Sequence, residues 1–356
     1  MTSSDPPRAS SRQEEPVLVG DVGGTRTRLA LFERAGGALR SVHRETFDSA
    51  DYEGLGEVVR RYLDLLESES IAPAPRRGCL ALAAPRSDGH WHFPNLDWQV
   101  DSEALRDEIG LESLSLCNDF DAVAWSVEAL EADDLVELQA GQPEEDGPRA
   151  FLGAGTGLGA AFSFRVAGQP RVVSSEGGHV DFAPRNEREI ELLSFLLKRH
   201  EHVSAERVLS GNGLETIYRS LVARSPGEES KEVADRLVRE EAPAVISELA
   251  LNGKDPLCVE ALDLFASVYG AQAGNLALLV QATGGVYIAG GIAPRILAKL
   301  RDGTFIRSFR AKGRVSGLLE EIPVSVITRE NAGLLGAAVL ALDRNPEAEP
   351  QSEASR

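Results

Sequence analysis

The sequence has 356 residues, 42% hydrophobic and 26% charged, with 37 basic and 56 acidic residues giving a net charge of −19. That is an ordinary globular profile with length enough for two domains. The acidic balance argues against broad nucleic-acid binding and against docking on an anionic membrane, so an anionic ligand has to be held by local dipoles, a metal or a few arginines.

The first fifteen residues, MTSSDPPRASSRQEE, are polar and Pro/Ser-rich. They read as a disordered leader (1–15) and carry no apolar stretch of the kind a secretory signal needs. Pro16–Val19 is an apolar strand that runs into GDVGGTRTRLALF, Gly20–Phe32. A P-loop or dinucleotide turn is followed by a helix. Here Thr27, Leu29 and Leu31 fall on one face at period two, which predicts strand, glycine turn, strand. Such a hairpin can wrap backbone N–H groups around an anion. Asp21 ends the first strand beside that turn. A carboxylate there repels phosphate but can hold a phosphate-bound Mg2+ through water; its structural alternative is an Asx-turn residue.

Ala35-Gly36-Gly37 predicts a second turn and Leu39–Phe47 a third strand. Apolar residues at helical spacing predict a helix over Tyr52–Glu67. Gly78–Ala84 is a buried strand closed by Pro85, and Asp101 or Ser102 caps a helix through Ile109. Leu114–Cys117 is a further strand, and Asp119–Leu130 a helix. Where these meet, Asn118 and Asp119 stand side by side. Two readings fit: an N-cap, or a general base beside a hydrogen-bond donor. Three cysteines, Cys79, Cys117 and Cys258, are far apart and odd in number, which predicts buried, reduced thiols in a cytoplasmic protein. No clustered ligand set for structural zinc is visible. No apolar run approaches a membrane span; Cys79–Ala84 is six residues.

Ala150–Phe164, AFLGAGTGLGAAFSF, repeats the grammar of the first hairpin, with Gly155 and Thr156 in its turn. Two such hairpins, each opening its own α/β half, predict a duplicated architecture with a cleft between halves. Glu176 and His179 flank two glycines in SEGGHVDF; the pair offers acceptors and a donor to a polyhydroxyl ligand, or is a loop with a satisfied histidine. Glu206, in SAERVLSG, is read as opening a helix. Helices are predicted over Glu187–His200, Ala205–Val222, Lys231–Leu251 and Pro256–Ala282. Val286–Ala289 is a strand ending in Gly290-Gly291, Pro323–Thr328 the last strand and Ala332–Leu342 the last helix. The Glu/Pro/Ser-rich tail, 344–356, reads as disordered.

Together the stretches LVGDVGGTRTRLALF, CNDFDAVA, GAGTGLGAAF, EGGHVDFAP, HVSAERVLSGNGL, GGVYIAGGIAPR and NAGLLGAA resemble the bacterial ATP-dependent glucokinases. These belong to the larger group that shares the fold of hexokinase, actin and the heat-shock-chaperone ATPase domain. The stretches span roughly Val17 to Leu342, in the family's order. The resemblance implies an α/β, two-domain actin-like ATPase (ribonuclease H-like) fold. It implies a small domain over 16–129, joined by the C-terminal helix at about 331–343, and a large domain over 130–330. It implies a glucokinase that moves the γ-phosphate of ATP to the 6-hydroxyl of glucose, with Asp119 as catalytic base. Asn118, Asp119, Glu176, His179 and Glu206 would bind the sugar. Gly20, Asp21, Val22, Gly23, Gly24 and Thr25, with Gly155 and Thr156, would hold the phosphates, and Gly290 and Gly291 would lie by the adenosine. ATP and Mg2+ are the implied cofactors and a homodimer the implied assembly. No cysteine follows His179 in Val180–Pro184, so zinc is not expected. Arg26 stands where the family commonly has Asn; it can bind the phosphates or point outwards. A nucleotide-driven switch of the same fold, a kinase of another hexose, and polyphosphate as donor are the competing readings.

Overall fold

The computed structural model of the chain describes residues 15–343 except Pro94 and Pro226. The expected leader and tail therefore lie outside the described residues, Glu15 excepted. The chain divides into two compact units, one formed by the residues up to Ala129 together with those from Asn331 onward, the other by Leu130–Glu330.

The first unit contains β1 (Val17–Val22), β2 (Arg26–Ala35), β3 (Ala38–Asp48) and β4 (Arg77–Leu82). A small sheet of β5 (Arg86–Ser87), β6 (His90–His92) and β7 (Gln99–Val100) follows, and then β8 (Ser113–Asn118). The main sheet has the order β3-β2-β1-β4-β8. β1, β2 and β3 pair antiparallel, while β1, β4 and β8 run parallel. Helices α1 (Leu55–Ser68) and α2 (Ser102–Ile109) cover one face, burying Val58, Tyr62 and Leu105 against Leu18, Leu80 and Leu82. The intervening strand residues Val17, Val19, Cys79 and Ala81 are buried too, because the chain's last helix, Ala332–Asp343, packs on β1 and β4. Cover on both faces is why these strands read as continuous apolar runs. Asp101 caps α2 by accepting the Ala104 N–H at 2.8 Å, and Gly110, at φ 73°, ends it. The helix α3 (Asp119–Ser126) starts where β8 stops.

The second unit carries β9 (Leu135–Gln139), β10 (Arg149–Ala154), β11 (Leu158–Val166) and β12 (Gln169–Ser175). The helices α4 (Glu187–Leu196), α5 (Gly211–Arg224), α6 (Lys231–Arg239), α7 (Ala242–Leu251) and α8 (Pro256–Val280) follow, then β13 (Gly285–Ala289) and β14 (Val324–Ile327). The sheet order is β12-β11-β10-β13-β14-β9. Its first five strands repeat the first unit's order and sense: an antiparallel trio, then two parallel additions. The duplicated hairpin of the sequence is thus a duplicated sheet.

Five expected helices differ from those observed, α4 among them, which ends at Leu196 rather than at His200. The first begins at Leu55, after Gly54, rather than at Tyr52, and α3 ends at Ser126 rather than near Leu130. The predicted Ala205–Val222 helix splits: Ala205–Arg207 is a single 3-10 turn, and Ser210 restarts the chain as α5 by accepting the Gly213 N–H at 3.1 Å. Glu206 therefore precedes a helix rather than opening one. Lys231–Leu251 breaks at an extended Glu240, with Pro243 in the first turn of α7, where its missing N–H costs nothing.

Candidate active site

In the first unit the parallel strands β1, β4 and β8 end on one edge, the place where open α/β sheets present ligand sites. Val22, Leu82 and Asn118 are aligned across that edge. The glycine turn after β1 and the Asn118-Asp119 pair after β8 thus stand two strand spacings apart, about 10 Å. The turn is the three residues Gly23, Gly24 and Thr25. Gly23 N–H donates to the Arg26 carbonyl at 2.9 Å, and Ser49 fastens both ends, its N–H to the Thr25 carbonyl and its Oγ to the Gly23 carbonyl, each at 2.9 Å. Asp21 lies directly across the hairpin from Arg28, whose Nη1 donates to Asp21 Oδ2 at 2.8 Å. Arg26 is exposed.

Asn118 is the N-cap of α3 and Asp119 its first residue. The Phe120 N–H donates to Asn118 Oδ1 at 2.9 Å and to Asp119 Oδ1 at 2.8 Å. The capping reading of Asn118 is therefore realised, with Asp119's second oxygen outside that contact. Burial pushes the Asp119 carboxyl up to about 6; the Phe120 N–H opposes the shift, and the negative charges of Asp21 and Asp121 add to it. Desolvation thus lifts the carboxyl well above the ordinary value for an aspartate, about 4. At pH 7 the group is still ionised by roughly ten to one.

In the second unit Gly155, Thr156 and Gly157 join β10 to β11, again a three-residue turn. Gly155 N–H donates to the Gly157 carbonyl, and Gly211 N–H to the Gly155 carbonyl, both at 2.9 Å. Glu206 Oε2 accepts the Leu158 N–H at 3.0 Å. Behind the turn the buried Tyr269 hydroxyl accepts the Ala154 N–H at 3.1 Å and lies within hydrogen-bonding distance of the Leu152 and Ala289 carbonyls. It ties the end of β10 to the end of β13, where Gly290 and Gly291 follow. Gly290 has φ +82°, and a Cβ there would strike the Ala154 carbonyl oxygen; only glycine fits.

The loop carrying Glu176 and His179 docks on residues 203–206. Glu206 N–H donates to the Gly178 carbonyl at 3.0 Å and Ala205 N–H to the Val180 carbonyl at 2.8 Å. The exposed side chains of Glu176 and His179 approach to 3.8 Å. Glu176, His179, Glu206 and the Gly155 turn are thereby gathered in one neighbourhood. An open pocket of about 380 Å3 adjoins it, lined by His179, Ser204 and Glu206 together with Arg199, His202 and Arg207.

Three contributors escaped the reading of the sequence. Arg28 could have been found by counting across the hairpin from Asp21. Tyr269, inside α8, and Glu206 as the fastener of a turn 48 residues away carry no local signal.

The sequence matches the profile of the Glucokinase family over residues 18–344. It is 42% identical to a glucokinase of Nostoc sp. over 339 residues, covering 91% of this chain and 98% of that one. Among solved structures, a glucokinase from an Antarctic psychrotroph matches with a TM-score of 0.81 at 36% identity, over 93% of this chain and 100% of that one. A ROK family glucokinase from Streptomyces griseus, solved with glucose and AMPPNP, shares the fold, with a TM-score of 0.62 at 21% identity over 92% and 100% of the two chains. The duplicated sheet of this chain is accordingly the two-domain actin-like ATPase fold.

Proposed function

The chain belongs to the glucokinase family, and from that premise we propose that it transfers the γ-phosphoryl group of ATP to the 6-hydroxyl of glucose, with Asp119 as general base. The observation that carries the assignment is the half-buried, desolvated Asp119 carboxyl, held beside Asn118 on the sheet edge that also bears the glycine turn.

Phosphoryl transfer asks for alignment and charge stabilisation more than for covalent chemistry. In this reading the backbone of Gly20–Thr25 and of Gly155-Thr156 faces the phosphates, and Gly290-Gly291 the adenosine. Asn118, Glu176, His179 and Glu206 bind sugar hydroxyls, and Asp119 accepts the proton of the 6-hydroxyl as the new O–P bond forms. A carboxyl raised to about 6 suits that task better than an ordinary one, since basicity rises while ionisation at neutral pH is kept. Sugar ligands covered by the bound substrate but left unpaired by a wrong one would cost about 1–3 kcal/mol each, which is the basis of selectivity. Asp21 fits a hydrated Mg2+: Arg28 occupies Oδ2, and the remaining hard oxygen suits a cation that keeps most of its waters. Mg2+ bound there would offset charge on the β- and γ-phosphates. Zinc has no part in the proposal. A cytoplasmic homodimer is the proposed state, read by light scattering of the purified chain.

The deciding experiment follows ATP consumption and glucose 6-phosphate formation together across several hexoses and phosphoryl donors. The expected result is ATP turnover that depends on glucose. ATP hydrolysis indifferent to glucose would replace this reading with a nucleotide switch.

A further inference from the structure

Two of the three cysteines sit immediately behind the proposed base. Cys79 on β4 and Cys117 on β8 have their Sγ atoms 3.9 Å apart. Cys79 is paired with Ser115 and Ala81 with Cys117, so the two thiols share a sheet face on a diagonal. Cys79 is buried; Cys117 is half-buried, which departs from the expectation of two inert buried thiols. We propose that Cys79 and Cys117 form a reversible disulfide with a small-molecule disulfide as oxidant, and that its closure disables the Asn118-Asp119 pair.

The chemistry begins at the accessible thiol. The Cys117 thiolate attacks one sulfur of R–S–S–R, forming Cys117–S–S–R and releasing RS−. The Cys79 thiolate then attacks Cys117 Sγ, forming the protein disulfide and releasing the second RS−. The two thiol protons end on the two RS− ions, and the two electrons lost by the cysteine pair reduce R–S–S–R to two RSH.

The mechanics follow from the register. A disulfide needs its sulfurs about 2.05 Å apart, and Cα atoms more than ~7 Å apart cannot be bridged without backbone movement. A diagonal pair on neighbouring parallel strands has Cα atoms about 8 Å apart, so closure has to move a strand. β4 is interior to the sheet, between β1 and β8, whereas β8 is an edge. The shift therefore falls on the end of β8, and Cys117 is followed directly by Asn118 and Asp119. A strained bridge of this kind is readily reduced, as a regulatory one must be in a reducing compartment. The loss of activity rests on the role proposed for Asn118 and Asp119; the bond itself does not.

The test treats the full chain with oxidised glutathione and reads two signals, a Cys79–Cys117 cross-linked peptide by mass spectrometry and the rate of glucose phosphorylation. The expected result is the cross-linked peptide with at least a tenfold fall in rate, both reversed by dithiothreitol. Cys117→Ser and Cys79→Ala should each abolish the response, and Cys258→Ser should keep it. Absence of the cross-linked peptide, a cross-link with unchanged rate, or an equal loss in Cys117→Ser overturns the proposal. In Asp119→Asn the peptide should still form; if that variant phosphorylated glucose normally, the assignment of the base would fall while the peptide reported on the bond separately.

Discussion

The two units use the same strand-turn-strand device on the same sheet order, yet they fasten it differently. The first turn is held by Ser49, a neighbour at the end of the next strand, and has its carboxylate, Asp21, built into its own hairpin and neutralised by Arg28. The second turn carries no acid of its own; it borrows Glu206 from another segment and is clamped from behind by Tyr269 on α8. Their edges differ in kind as well. The first presents a desolvated carboxyl whose affinity for a proton is raised, the second an exposed Glu176–His179 pair. Burial suits proton transfer and exposure suits capture of a hydroxylated ligand, so the proposed function places the chemistry in the first unit and much of the recognition in the second.

That division of labour can be broken most sharply at Asp119. Asp119→Asn should lower kcat by about 10^2–10^4-fold, the range for loss of a general base, with the glucose KM little changed, as measured in a coupled assay. Glu176→Gln should do the reverse, raising the glucose KM about tenfold, about 1.4 kcal/mol, at nearly constant kcat. An effect on kcat alone would erase the distinction between the edges. The pH profile sharpens it further. Because the base works as carboxylate and its pKa is raised to about 6, kcat/KM should be flat above that value and fall tenfold per pH unit below it. A limb near 4 would show that desolvation is not what tunes the group.

Smaller effects compare the fasteners. Glu206→Ala leaves the Leu158 N–H without its acceptor and should cost about 1–3 kcal/mol in denaturant unfolding. Ser49→Ala should cost about 1 kcal/mol, since its backbone N–H still holds Thr25. Last, a carboxyl whose folded pKa lies above its unfolded value stabilises the fold at low pH and loses that contribution as pH rises through about 6. Asp119→Asn should therefore melt slightly higher than the parent at pH 7, with the difference gone near pH 4.

Much of this was legible in the chain. The period-two pattern of Thr27, Leu29 and Leu31 after the glycines distinguishes the hairpin from a helix-led phosphate loop, and those residues are indeed buried. The Cα pairing of Asp21 with Arg28 follows once Val22 stands opposite Thr27 across the turn. The helix breaks at Ser210 and Glu240 were missed because apolar spacing continued through them, while a side-chain cap and a proline settled the backbone locally. The raised pKa of Asp119 and the reach of Tyr269 across 115 residues depend on the packed interior, which no short stretch encodes.

The last helix has a consequence for how the molecule is made. Leu130–Glu330 is one continuous segment, so that unit has all of its chain available while synthesis is still under way. The half bearing Asp119 waits for residues Ala332–Asp343 to cover β1 and β4. Domains tend to fold as units in the order they emerge, and here the N-terminal half is the one completed last. A nascent or C-terminally clipped chain would thus display the loops proposed to face the sugar before the half bearing the proposed base was finished, and on that reading would be silent as an enzyme until its final helix was in place.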